Sequence, residues 1–259
     1  MLPIAHLVYF SPTGSTHKIV TAIARGLGAE QTVHYDVTLP QASCAAVLGG
    51  GVAVFGIPVY AGRVPELCLQ RLQDFRSAGV PAVLVALYGN RAFEDTLVEL
   101  RDLVTRQGFK VVAAAAFIGE HSYATKDQPV ALGRPDSGDL EKAVTFGRQV
   151  AGKLEQGKII PPAIPGNTPY RDRVRFGGIA PETLVEKCTL CGQCAASCPP
   201  GVITLTDRVI TDAANCIMCC ACIKNCQPKA RIFNHDFIRE KRQQLVEHCS
   251  RPKLPQTFL

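Results

Sequence analysis

The chain has 259 residues, of which 47% are hydrophobic, so it is long enough for one α/β domain and a small second module. The uncharged stretch Val47–Gly62 is glycine-rich and contains Pro58, so it falls short of the about 20 apolar residues that a membrane span needs. The formal net charge is +6, yet no stacked-aromatic RNA motif, recognition-helix signature or long basic run accompanies it, and we therefore do not expect nucleic-acid binding.

The N-terminal part of the chain alternates apolar strands with amphipathic helices. The predicted strands are Ile4–Phe10, Thr32–Val37, Gly51–Pro58, Ala82–Tyr88 and Phe109–Ile118. The predicted helices are Ser15–Gly28, Pro40–Leu48, Pro65–Ala78, Phe93–Gln107 and Ser137–Gln156. The strands are continuous apolar runs, which is typical of a parallel sheet covered on both faces. We predict a doubly wound α/β domain over residues 1–156, with ligands at the carboxyl ends of the strands.

The apolar opening Leu2–Phe10 lacks the basic region and the cleavage site of a signal peptide, and a strand-to-loop motif follows it directly. We therefore expect a cytoplasmic protein.

The loop after the first strand carries a motif for binding an anion. Hydroxyl groups and a glycine stand directly before a helix, where free backbone N–H groups form an anion cradle: Ser11, Thr13, Gly14, Ser15 and Thr16. The loop contains no lysine, so it is not a Walker A loop, and the dinucleotide motif G-x-G-x-x-G is absent. Taken alone, the loop is also compatible with plain helix capping.

Two further loops follow the third and fourth strands. The candidate binding residues there are Pro58, Val59, Tyr60 and Gly62, and Tyr88, Gly89, Asn90 and Arg91. With the T/S-x-T-G-x-T motif at residues 11–16, these loops make residues 1–156 resemble a short-chain flavodoxin. The resemblance implies a five-stranded parallel sheet of order 2-1-3-4-5 with FMN at its switch point. Tyr60 and Tyr88 are then candidates for stacking on the flavin, while Arg63 and Arg91 either contact it or are solvated.

The fifth strand is followed by a long segment, Gly119–Pro135. His121 and Tyr123 emerge there at the carboxyl edge of the sheet, and His titrates near neutrality, so the pair is a candidate for proton transfer to the flavin or a substrate. We favour a plain surface loop. Residues 157–180 contain Pro161, Pro162 and two further prolines, which predicts an extended linker.

Two copies of one cysteine pattern follow the linker. Each copy reads C-x2-C-x2-C-x3-C, and the copies consist of Cys188, Cys191, Cys194 and Cys198, then Cys216, Cys219, Cys222 and Cys226. A tetrahedral zinc site needs four ligands, commonly two from each of two knuckles, so this pattern would over-supply it twice. Structural disulfides would suit an oxidising compartment. We favour two [4Fe-4S] clusters over both alternatives.

The cysteine pattern resembles that of bacterial two-cluster ferredoxins, in which the fourth cysteine of each run binds the other cluster. The resemblance implies one cluster on Cys188, Cys191, Cys194 and Cys226, and a second on Cys216, Cys219, Cys222 and Cys198. It covers residues 181–233, including a predicted β-ribbon (Val202–Leu205 and Val209–Thr211). Two features depart from the pattern: Gln227 displaces the usual proline, and Cys220 is an additional cysteine, which we interpret as a thiol packed against the cluster. Residues 234–259 are predicted as a helical tail (Phe237–His248) with a frayed end.

Apart from the linker and the tail, the chain is similar to the flavodoxin–ferredoxin fusion proteins of anaerobic bacteria, the EFR-type ferredoxin family. The resemblance implies an electron carrier that relays electrons between the clusters and FMN and serves a redox partner enzyme. The alternative is a reductase that passes electrons from FMN to a small molecule such as a quinone, a nicotinamide or an electrophile. All of the net positive charge comes from residues 157–259, which contain 14 basic and 8 acidic residues. Because each cluster with its four thiolates adds about −2, this charge is interpreted as compensation for cofactors.

Overall fold

The structure is a computed structural model that describes residues 2–174 and 177–259; Met1 of the predicted first domain and residues 175–176 of the predicted linker lie outside it. The strands of the first domain are β1 (Ile4–Tyr9), β2 (Gln31–Asp36), β3 (Ala45–Leu48), β4 (Val52–Pro58), β5 (Asp74–Ser77), β6 (Pro81–Tyr88) and β7 (Lys110–Ile118). Its helices are α1 (Ser15–Leu27), α2 (Glu66–Leu72), α3 (Thr96–Arg106) and α4 (Ser137–Glu155).

The main sheet contains the five predicted parallel strands in the order β2-β1-β4-β6-β7. Helices α1 and α4 contribute to the apolar cluster on one face of the sheet, and α2 and α3 contribute to the cluster on the other face. When only the five parallel strands of this sheet are counted along the chain, the order is 2-1-3-4-5. The prediction of a flavodoxin-like, doubly wound fold is therefore confirmed. The fold places the carboxyl ends of β1, β4, β6 and β7 along one edge of the sheet.

The predicted helix Pro40–Leu48 is wrong. Residues Ala45–Leu48 form β3, which pairs in parallel with β5, and the predicted helix Pro65–Ala78 accordingly ends at Leu72. Alanine and leucine at positions 45–48 favour a helix locally, but propensity is a weak prior that tertiary pairing overrides. Here Phe75 of β5 is fully buried in the core and Ala46 packs against that core.

The second module is built around short elements. These are β8 (Glu182–Thr183), α5 (Gln193–Ala196), β9 (Ile203–Leu205), β10 (Val209–Thr211), α6 (Ala221–Lys224) and β11 (Arg231–Ile232). The tail that follows contains α7 (Asp236–Cys249) and β12 (Gln256–Phe258). β9 and β10 form the predicted antiparallel ribbon, and β8 pairs with β11. The long α7 corresponds to the predicted helix in the tail.

The prediction of a frayed chain end is wrong. β12 pairs antiparallel with β7, so the main sheet has six strands rather than five. The covered edge of β7 is the apolar run Ala114–Ala116, and the Phe258 ring lies 6.5 Å from that of Phe93. Pairing satisfies the backbone N–H and C=O groups that an open edge strand leaves free. The tail is therefore an integral part of the first domain.

The linker is held against the first domain at the N-terminal end of α3. The buried Asp95 carboxylate accepts hydrogen bonds from the Asn167 N–H (2.8 Å) and the Arg171 N–H (2.7 Å). One turn later, the Glu99 carboxylate binds the guanidinium groups of Arg63 and Arg173. Residues 157–174 thus follow a fixed course, without helix or strand. No helix in the described ranges combines the length and the apolarity needed to cross a membrane.

Candidate cofactor sites

A cavity of about 680 Å³ opens where the carboxyl ends of the parallel strands meet the second module. This volume lies within the range of about 300–1,000 Å³ that is usual for small-molecule sites. Each predicted flavin-binding loop of the first domain contributes to its wall, and so do residues of the second module and α7. The cavity is therefore formed by both parts of the chain.

The loop between β1 and α1 presents a helix N-terminus to this cavity. Gly14 has φ +80°, a conformation that favours glycine, and α1 begins there without a side-chain capping bond. The Ser11 hydroxyl accepts a hydrogen bond from the His17 N–H (3.0 Å), which closes the loop. Thr13, Ser15 and Thr16 line the cavity, whereas Ser11 and Gly14 shape the turn. The uncapped helix end fits the phosphate of FMN, as the anion-cradle hypothesis requires.

The loop after β4 forms a second wall. Pro58, Val59 and Tyr60 line the cavity, and Gly62 does not. Tyr60 and Arg63 exchange two backbone hydrogen bonds of 3.0 and 3.1 Å, which fixes a tight turn. Burial, followed by the nearby thiols of Cys219 and Cys220, raises the pKa of Tyr60 well above its usual value. Tyr60 therefore lies in the cavity wall close to the second cysteine run.

Some residues of the loop after β6 line the cavity, and another contacts the C-terminal tail. Tyr88, Gly89 and Arg91 line the cavity. Tyr88 is 3% exposed and its ring packs edge-on against Phe93, so of the two stacking candidates Tyr60 is the better placed. Asn90 is not in the cavity wall: its Nδ2 donates hydrogen bonds to the carbonyl oxygens of Cys249 (2.6 Å) and Arg251 (2.9 Å). Asn90 thus holds the C-terminal end of α7.

The interpretation of Gly119–Pro135 as a plain surface loop is wrong. Its two ends are joined by hydrogen bonds from the Glu120 N–H to Arg134 and from the His121 N–H to Val130. His121 and Tyr123 both line the cavity, with their ring centroids 5.2 Å apart. The segment folds inward because its apolar residues pack beneath α7.

His121 is expected to make the stability of the protein depend on pH. Burial, and then the positive charges of Arg91 and Lys224, lower the pKa of His121 from 6.5 to about 4. Because the unfolded chain binds this proton more readily than the folded protein does, the free energy of unfolding is highest above pH 6.5 and decreases as the pH falls towards 4. Thermal unfolding of the cofactor-loaded protein should show this loss, and His121→Gln should flatten the profile between pH 4.5 and 6.5. An unchanged profile in the variant would rule out His121 as the cause.

The second module and the tail close the remaining side of the cavity. Its wall includes Ile217, Met218 and Cys219 from the second cysteine run, and Phe237, Lys241, Gln244, Leu245, His248 and Cys249 from α7. The α7 residues recur at intervals of three and four positions, so they form one stripe along the helix. Sequence reasoning missed them because three of the six are polar, and the stripe gives no apolar periodicity.

The eight repeated cysteines lie around two small cavities. Cys188, Cys191, Cys194 and Cys226 line one, and Cys216, Cys219, Cys222 and Cys198 line the other together with Cys220. The structure therefore brings together the same two sets of four cysteines that the ferredoxin resemblance implies. No three His, Cys, Asp or Glu side chains within the described ranges converge on a single metal ion, as a tetrahedral zinc site requires. A cubane does not require such convergence, since its thiolates bind different irons.

Burial raises the pKa of Cys219 to about 12 and that of Cys222 to about 11, although Arg231 opposes the shift at Cys222. These thiols would stay protonated near neutral pH unless a metal displaced the proton.

A buried arginine accompanies the two cysteine sites. Arg231 is 3% exposed, lines the first cysteine cavity and lies 3.9 Å from the Cys222 sulfur of the second. Its Nη atoms donate to Thr183 and Thr211, its Nε has no hydrogen-bond partner among the described residues, and no carboxylate there forms a salt bridge with it. A buried cation requires a compensating anion. Anionic iron–sulfur clusters on both sides of Arg231 would supply it.

Cys220 occupies a position of unusual backbone geometry. It precedes α6 with φ +62°, as Gly192 precedes α5 with φ +78° in the first run. Its buried sulfur lies near the Met218 carbonyl oxygen (3.7 Å). The side chain is therefore packed beside the second cysteine cavity.

The family described as "4Fe-4S binding domain" matches residues 182–204, which contain the whole first cysteine run. No curated protein matches the sequence. Among solved structures, the chain is similar to a flavodoxin from the domain Archaea, with 14% identity and a TM-score of 0.40 over 59% of this chain and 99% of that chain. It is similar to the Streptococcus pneumonia TIGR4 flavodoxin, with 18% identity and a TM-score of 0.43 over 58% and 99% of the two chains. For oxidised flavodoxin 1 from Bacillus cereus the identity is 14% and the TM-score 0.42, over 57% and 97%.

A flavodoxin-like sheet and a 4Fe-4S binding region thus occur in one chain. Together they fit an electron-transfer protein of the iron–sulfur flavoprotein class.

Proposed function

We propose that this protein binds one FMN and two [4Fe-4S] clusters and carries electrons between them and a redox partner, as a flavodoxin–ferredoxin fusion of the EFR type. The observation that carries the proposal is the composition of the large cavity: Cys219, a cysteine of the second site, lines the same cavity as Thr13, Thr16 and Tyr60. An [4Fe-4S] cluster exchanges single electrons, whereas FMN exchanges one or two. Groups held this close on one chain need no encounter in solution.

The residues of the cavity fit FMN in two respects. The uncapped N-terminus of α1 offers backbone N–H groups to a phosphate, beside the hydroxyls of Thr13, Ser15 and Thr16. The loops after β4 and β6 contribute Tyr60, Tyr88 and Gly89 to the wall of the same cavity, which supports an aromatic ring system as its ligand. The thiols of both cysteine sites, with the buried Arg231 beside them, fit anionic clusters.

The covering of the cavity favours the carrier over the reductase. The second module and α7 line one side of the cavity, with Met218, Cys219, Phe237 and Leu245 in the wall, which supports a flavin face covered by protein. A reductase needs an open flavin face, whereas a carrier needs a short path between its centres.

Cofactor analysis tests the proposal directly. Protein purified without oxygen is expected to contain about one FMN and, from two four-iron clusters, about eight irons per chain. Mixing the reduced protein with ferredoxins, quinones and nicotinamides then separates the two functions. Zinc in place of iron, or no flavin, would contradict the cofactor assignment. Fast oxidation by a small molecule together with slow exchange with proteins would favour the reductase.

A further inference from the structure

The two cysteine runs are copies of one local structure that face different surroundings. Leu190 and Met218 occupy the same place in the repeat, directly before Cys191 and Cys219, and have φ values of +52° and +51°. Each run then passes through a left-handed residue into a short helix. Because the backbone is repeated, any difference between the two loops comes from what lies against them.

The second run faces the first domain. Met218 and Cys219 line the flavin cavity. On either side of them the module is attached to the first domain: the Arg71 guanidinium donates to the Pro199 carbonyl (2.6 Å), and the Lys224 ammonium pairs with Glu120 and donates to the Ala124 carbonyl (3.2 Å). These contacts come from residues 198–224 and surround the second cysteine site.

The first run faces outward. Cys191 is the one exposed cysteine of the described residues, and Leu190, which lines the first cysteine cavity, is 43% exposed. Val185, whose carbonyl accepts the Cys188 N–H, is 76% exposed. Within the described ranges, no side chain of residues 188–194 forms a hydrogen bond with the first domain.

We infer that the Leu190–Cys191 loop, rimmed by Val185, is the docking surface for an external one-electron carrier protein. The inference rests on the proposed function. Met218 and Cys219 line the flavin cavity. Leu190 and Cys191 hold the equivalent positions in the first run, where the redox group that they face would belong to another protein. A carrier docked there loses one electron as the cluster on Cys188, Cys191, Cys194 and Cys226 gains one, or the reverse, and no bond or proton moves. Apolar side chains around an exposed cluster favour contact with the surface of another protein, because that contact excludes water.

The test uses two exposed apolar residues of the same module. Val185→Glu places a charge on the rim of the proposed surface, at a residue that is 76% exposed and does not line the first cysteine cavity. Ile210→Glu is the matched control, since Ile210 is 42% exposed and lies on the β9–β10 ribbon. Cofactor-loaded proteins are mixed anaerobically with a reduced bacterial ferredoxin and, separately, with the methyl viologen radical, which needs no docking surface. Val185→Glu is expected to slow reduction by the ferredoxin at least tenfold and reduction by the radical less than twofold. Ile210→Glu should change neither rate more than twofold.

The outcomes separate the inference from the proposed function. Equal effects of the two substitutions, no effect of Val185→Glu, or wild-type protein that accepts electrons from the radical but not from the ferredoxin would each overturn the docking surface while leaving the carrier intact. Protein without iron or flavin would instead overturn the proposed function. Iron and flavin contents equal to wild type in both variants establish that the substitutions act on the surface alone.

Discussion

Replacing Cys198 with alanine is expected to remove the second cluster and leave the first, although Cys198 belongs to the first cysteine run. Its side chain lines the cavity of Cys216, Cys219 and Cys222. Iron should fall from about eight to about four per chain. Cys226→Ala is the matched variant: it should give the same loss of iron, but from the first cluster.

Thiol labelling shows which cluster is lost. Cysteines that have lost their cluster react with iodoacetamide, and mass spectrometry identifies the alkylated positions. Cys198→Ala should expose Cys216, Cys219 and Cys222, whereas Cys226→Ala should expose Cys188, Cys191 and Cys194. The opposite pattern would mean that each run binds its own cluster, and the crossed arrangement would be wrong.

Replacing Asn90 is expected to weaken both the fold and the binding of FMN. Its side-chain amide gives two buried hydrogen bonds to the end of α7, and α7 forms a wall of the flavin cavity. At about 1 kcal/mol for each bond, Asn90→Gly should lower the free energy of unfolding by about 2 kcal/mol. The FMN dissociation constant should rise at least tenfold. Glycine is used because Asn90 has φ +62°, where alanine would add backbone strain.

A truncation tests whether the C-terminal strand also secures α7. Deletion of residues 252–259 removes β12 and its pairing with β7 but retains the side chain of Asn90. If the tail secures α7, the deletion should also weaken FMN binding, measured by flavin fluorescence titration. Unchanged FMN affinity in the truncated protein would mean that β12 does not contribute to holding α7.

The parts of the site that depend on local sequence could be predicted. The cysteine spacing and the hydroxyl-rich loop at Thr13–Thr16 each act within one turn of the chain, so the residues that carry the chemistry are also those that form the motif. The strand order followed from the continuous apolar runs and the flavodoxin resemblance. For these features, local and global structure agree.

The parts that depend on long-range contacts could not be predicted. Lys241, Gln244 and His248 face a cavity that forms only when the tail packs across the first domain. Asn90 stands within a predicted flavin loop, yet it holds a segment about 160 positions later in the sequence. Residues Ala45–Leu48 form a strand because β5 pairs with them. In each case the partner is distant in sequence, and no local pattern identifies it.

Rapid mixing of the oxidised, cofactor-loaded protein with the methyl viologen radical, followed over a range of protein concentrations, tests the central claim most directly. If Cys219 and the flavin loops share one cavity, the flavin signal should follow the iron–sulfur signal at a rate that does not change with protein concentration. Such a rate shows that the electron moves within one chain. A flavin rate that rises in proportion to protein concentration, or clusters that become reduced while the flavin stays oxidised, would contradict the account.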